Sequence, residues 1–135
     1  MEHIPGAGHA DLDRDLSDND ASFRYMLPQI PQLAQAFSGY GVGAGTRAVL
    51  YDSTSGSWAT RIWWMLRAIG FDDAYVLDGG LHKWKLEGHP VNSDPSTYPP
   101  AIFLAKPRAG LMANKDEVLA ALDLGATCVW NALSK

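Results

Sequence analysis

The sequence predicts an α/β fold, a three-layer domain with a mainly parallel sheet covered by helices on both faces. Three observations predict it. Short apolar, β-prone runs alternate along the chain with segments of helical period. The stretch from Ala48 to Arg67 reads as strand, loop and helix in direct succession. The length of 135 residues, with 47% hydrophobic and 19% charged residues, suits one soluble domain with a single core.

Taken in order, His3-Ile4-Pro5-Gly6-Ala7 is too short to fold alone and reads as a turn at the edge of a strand or loop. The acidic tract Asp11 to Asp20 has no sustained period and is expected to be a solvated loop. Ile30 to Phe37 reads as a helix with proline in its first turn and apolar residues at Ile30, Leu33, Ala34 and Phe37, broken by Gly39, Gly41, Gly43 and Gly45. The run Ala48-Val49-Leu50-Tyr51 stops at Asp52. A small polar loop follows, and then a helix with Ile62, Met65, Leu66 and Ile69 inward, capped by Gly70. Ala74-Tyr75-Val76-Leu77 is a second strand, Asp78-Gly79-Gly80 a turn, and Leu81 to Glu87 a further short helix. His89 to Pro100, with four prolines, is an irregular surface segment. Ala101 to Ala105 and Leu111-Met112-Ala113 are expected to be strands. Asn114 with Glu117 resembles a capped helix start that carries Val118, Leu119 and Leu122 inward until Gly125. Thr127-Cys128-Val129-Trp130 is expected to be a last buried strand.

A net charge of −4, a pI near 5.4 and the lack of any Lys or Arg run argue against nucleic acid and acidic membranes as partners. They favour a small molecule or a protein. The single cysteine, Cys128, allows neither an intramolecular disulfide nor a cysteine zinc site. With no signal-peptide pattern and no apolar run of membrane-span length, a reducing, cytoplasmic setting is expected. His3, His9, His82 and His89 have no metal-type spacing, so no metal and no cofactor is expected.

Chemistry is expected where the strand ending at Asp52 feeds the helix, because loop N–H groups and a helix N-terminus there can hold an anion or a reactive group. The candidate anion-binding residues are Ser53, Thr54, Ser55, Gly56, Ser57 and Arg61. The hydroxyls also serve simply to satisfy a turn, and a negative Asp52 facing the same loop opposes an outside anion. Asp52 has no second carboxylate or histidine at a supporting spacing, so it reads as a structural carboxylate accepting loop N–H bonds rather than a catalytic acid or metal ligand. Cys128, inside an apolar run, reads as an inert small hydrophobe. Ser57 lacks the Gly-x-Ser-x-Gly context of a hydrolase nucleophile. Trp63 and Trp64 are expected to be partly buried, one under the sheet and the other against a neighbouring element.

Four motifs stand in order over nearly the whole chain: His3-Ile4-Pro5-Gly6-Ala7; Tyr51-Asp52 with Gly56 and Arg61-Ile62-Trp63-Trp64-Met65-Leu66-Arg67; Val76-Leu77-Asp78-Gly79-Gly80-Leu81 with Trp84; and Gly88-His89-Pro90-Val91. Through them the chain resembles the rhodanese-like sulfurtransferases, in particular the N-terminal, non-catalytic domain of tandem thiosulfate/3-mercaptopyruvate sulfurtransferases. The resemblance implies a sulfur-carrying cysteine at the position of Asp52 in active members. A carboxylate cannot form a persulfide, so the resemblance implies a non-catalytic half with a structural or partner-binding role. The alternative is an active thiosulfate or 3-mercaptopyruvate sulfurtransferase, or another anion-handling enzyme, with a different nucleophile and a small sulfur-containing anion as substrate. It further implies that residues 1–108 form a rhodanese-like domain lacking its usual first strand, helix and long buried strand, whereas residues 109–135 resemble the strand-helix-strand opening of a second such domain. In circularly permuted order the inventory is complete. The strand carrying Cys128 and Trp130 is then expected to fill the vacancy beside Val49-Leu50-Tyr51, within its own chain or in a swapped homodimer, unless a second rhodanese domain is the partner.

Overall fold

The structure, a computed structural model, describes residues 1–132. In chain order it comprises α1 (Ile30–Gly39), β1 (Ala48–Leu50), α2 (Ser57–Ala68), β2 (Ala74–Val76), α3 (Gly80–Leu86) and α4 (Lys115–Leu122). β1 and β2 pair in parallel, Ala48 opposite Ala74 and Leu50 opposite Val76, with α2 as the crossover between them. The α/β class with a parallel sheet is the one expected.

The core lies where α1 and α2 meet the sheet. Leu33 and Phe37 of α1, Ile62, Met65 and Leu66 of α2, Ile69, and the small Ala48 and Ala74 of the strands form one buried cluster. The spacing of the apolar positions on α2 puts them on one stripe, and the alanines let that helix approach the sheet closely. Alternation along the strands sends Val49 and Tyr75 to the other face, where they are 58% and 50% exposed. The two faces are therefore unequally covered. No helix among the described residues is long and apolar enough to cross a membrane.

Several elements depart from expectation. The acidic tract is not simply solvated, because Leu16 is 0% exposed and joins the core. The Ser17 hydroxyl donates to Leu12 O at 2.7 Å within the tract. Bonds from the Tyr40 hydroxyl to the Asp15 carboxylate at 2.6 Å and from the Gln32 side-chain amide to Ser17 O at 3.0 Å fasten the tract to α1 and its C-terminal end. Residues 101–105 form no strand. They run as irregular chain, fastened by Ala44 N–H to Ile102 O at 3.0 Å and Ala101 N–H to Ser38 O at 3.0 Å, with Phe103 packed between Phe37 and Phe71. Residues 111–113 are likewise not a strand.

The start of α4 is as expected. The Asn114 side chain accepts from Glu117 N–H while the Glu117 side chain accepts from Asn114 N–H, a complete capping box. Its apolar residues are not inward, since Val118, Leu119 and Leu122 are all exposed. Residues 127–130 are exposed irregular chain rather than a buried strand, with Trp130 87% exposed and the Cys128 thiol also exposed. The sheet is thus not completed by this segment within its own chain. The last three residues of the 109–135 segment lie outside the described residues.

The N-terminal motif forms a clasp. His3 and Asn92 exchange backbone hydrogen bonds of 2.8 and 3.0 Å, Ala7 N–H closes the Pro5-Gly6 turn on Ile4 O, and the Tyr98 hydroxyl donates to Gly6 O at 2.8 Å.

Candidate functional site

At the carboxyl end of β1 the chain wraps around the side chain of Asp52. One carboxylate oxygen, Oδ1, accepts from the amides of Thr54 and Gly56, each at 2.9 Å, and from the Thr54 hydroxyl at 3.1 Å. The other, Oδ2, accepts from the amides of Trp58 and Ala59 at 3.0 and 3.1 Å. These last two amides belong to the first turn of α2, where helix geometry leaves N–H groups without an intrahelical partner. The helix has no capping side chain at Gly56 and no acidic residue in its first turn. Asp52, reaching across the loop, supplies that acceptor and places its charge at the positive end of the helix dipole.

The loop closes this way because Gly56 adopts a left-handed φ of +83°, which turns the chain from the Asp52 side into the helix. Burial alone would raise the Asp52 pKa. The amides of Gly56, Ala59 and Thr54 outweigh it and hold the carboxyl below its ordinary value. The start of α3 abuts the same point: Leu81 N–H donates to Asp52 O at 3.1 Å, and Leu77 N–H to Leu50 O at 2.8 Å.

The expected anion-binding residues are brought together only in part. Ser55, Gly56, Ser57 and Arg61 line one open depression with Thr60 and Trp64, whereas Ser53 and Thr54 do not line it. Within it the Ser55 and Ser57 hydroxyls bond each other at 2.8 Å, and the Thr60 hydroxyl donates to Gly56 O at 2.7 Å. The Arg61 guanidinium donates through Nη2 to the carbonyl of Tyr25, and burial lowers its pKa. Sequence reasoning missed Tyr25, Thr60 and Gly80. Tyr25 carries a φ of +63°, rare for a non-glycine residue, and its ring lies 5.1 Å from that of Trp58.

Trp63 and Trp64 are both partly buried, as expected. The Trp63 indole donates to Ala74 O at 3.0 Å on β2, and the Trp64 indole to Leu111 O at 2.7 Å. Cys128 is not among the residues lining either depression beside Arg61. Among the described residues no group of three His, Cys, Asp or Glu side chains is placed to hold a metal ion.

The geometry defines a class: an α/β domain whose parallel strand delivers one side chain into an amide-lined loop at a helix N-terminus, suited to stabilising a single negative charge. The model of the rhodanese-like domain matches residues 1–87, and the chain belongs to that family. It is 37% identical over 123 residues to the thiosulfate sulfurtransferase of Bos taurus, covering 90% of this chain and 41% of that protein. It is 42% identical over 106 residues to the 3-mercaptopyruvate sulfurtransferase of Homo sapiens, covering 77% of this chain and 35% of that protein. The crystal structure of a 3-mercaptopyruvate sulfotransferase from Escherichia coli superposes with a TM-score of 0.80 at 31% identity, covering 89% of this chain and 45% of that one. The chain spans less than half the length of each of these relatives.

Proposed function

We propose that this chain is a non-catalytic rhodanese-like domain with a structural or partner-binding role. The observation that carries the reading is the Asp52 carboxylate, which takes five hydrogen bonds in the amide-lined loop. Sulfur transfer from thiosulfate requires a thiolate that attacks the outer sulfur, leaving a persulfide on the protein and releasing sulfite. A carboxylate has no such chemistry. Here it also occupies the donors that would otherwise lower a thiol pKa and stabilise the transferred charge. The single cysteine supports a reducing, cytoplasmic setting, and the charge balance supports a protein partner rather than nucleic acid or membrane.

The test is thiocyanate formation from thiosulfate and cyanide, measured for the parent and for Cys128→Ser. Both are expected to stay at background. Turnover that survives Cys128→Ser would overturn the reading by revealing another nucleophile, and turnover abolished by it would overturn it in favour of the exposed thiol. In a Cys128→Ser background, Asp52→Cys is expected to gain the mass of one sulfur atom on thiosulfate treatment while its parent gains none.

A further inference from the structure

β1 pairs with β2 alone among the described residues. Ala48 N–H donates to Asp73 O and Leu50 O accepts from Leu77 N–H, so residues 48 and 50 direct their backbone groups to β2. By alternation, the N–H and C=O of Val49 point to the opposite edge. The exposed Val49 and Tyr75 side chains give the sheet an apolar face. A two-stranded sheet with such an edge is a template for another strand.

The same chain carries a segment suited to that edge. Residues 127–130 read Thr-Cys-Val-Trp, β-branched and aromatic, and are exposed without strand pairing. They follow α4, whose Val118, Leu119 and Leu122 are exposed as well. The chain's own copy is held elsewhere. Leu111 O is bonded to Trp64, and Ala132 lines the same open depression as Ser57, Thr60 and Arg61. On α2 those residues form the stripe opposite Ile62, Met65 and Leu66, which face the sheet, so the helix stands between this segment and β1.

We propose that the free edge of β1 accepts residues 127–130 of a second copy of this chain, and that two copies exchange these segments reciprocally about a two-fold axis. Each exchange satisfies the Val49 edge of one copy and covers the exposed Val129 and Trp130 of the other. The proposal gives the partner-binding reading its partner, and so rests on that reading.

Sedimentation velocity of the full chain, with Val129→Pro as the variant, tests it. Residue 129 is exposed irregular chain in the single copy, so proline there leaves the monomer's cooperative melting unchanged while removing an N–H the added strand needs. The parent is expected to sediment as a dimer, and Val129→Pro to raise the dissociation constant about tenfold or more. In Val49→Cys, mild oxidation is expected to link position 49 of one chain to Cys128 of the other, read by peptide mapping. A monomeric parent at all concentrations, a dimer indifferent to Val129→Pro, or a 49–128 link within one chain would each overturn the proposal. The catalytic silence is read separately by the thiocyanate assay and stands or falls on its own.

Discussion

Asp52 and Asp15 show how a single carboxylate can set the acid behaviour of the domain. Asp52 is held below its ordinary value of 3.8 although burial opposes it, because the amides of Gly56, Ala59 and Thr54 outweigh that cost. Asp15 is lowered to about 2, chiefly by its hydrogen bond to Arg14, against burial and with help from Tyr40. A folded-state pKa below the unfolded one gives stability that is complete above the ordinary value and lost as pH falls through the folded one. Melting temperatures of the parent are therefore expected to fall steeply as pH drops from 3.8 toward 2, and those of an Asp15→Asn, Asp52→Asn variant to fall less. At neutral pH Asp52→Asn turns an NH2 group toward amide donors and is expected to cost about 1–3 kcal/mol, measured by denaturant unfolding. The loop N–H bonds to Asp52 were legible in the sequence, because a carboxylate ending a strand before a helix without an acidic first turn has few other uses. The partner of Arg61 was not. The guanidinium reaches the carbonyl of Tyr25, 36 residues upstream, through a left-handed residue that no local pattern signals.

Among the elements, α3 depends on how close β1 comes to it. Gly80 has a φ of +53°, and a Cβ there would lie 2.8 Å from Asp52 O. That oxygen already accepts Leu81 N–H, so it has little freedom to retreat. Gly80→Ala is expected to destabilise the domain by about 1–3 kcal/mol with the fluorescence of Trp84 perturbed, whereas Gly88→Ala, which meets nothing within 4 Å and keeps only its backbone strain, costs less. Helix positions were readable from period and caps, and the Asn114 capping box is the clearest case. The burial of α4 was not readable. A pattern of apolar residues shows which face would be covered but not whether anything covers it. The same ambiguity turned 101–105 and 127–130 into expected strands: short apolar runs satisfy strand and coil templates alike, and pairing partners decide between them.

At the scale of the whole molecule, the core was legible where it follows periodicity and illegible where one residue joins it from afar. Leu16 sits in an acidic stretch with no period, yet it is sealed from solvent by a loop that Tyr40 and Gln32 fasten. The clasp between His3 and Asn92 is of this long-range kind, and it bears on the order of events in time. β1, α2 and β2 come together within residues 48–76, whereas the clasp joins positions 3 and 92. Closing the longer loop carries the larger entropic cost, and its return is a short antiparallel bridge at the surface. In native-state hydrogen exchange the amides of His3 and Asn92 are expected to exchange together, and faster than those of Leu50 and Leu77 on the ladder. Equal protection at both places would show a single cooperative unit instead. A clasp that forms last and opens first is a latch: limited proteolysis is expected to cut the stretch 90–100, most of which is exposed already, while the β1-α2-β2 unit stays whole.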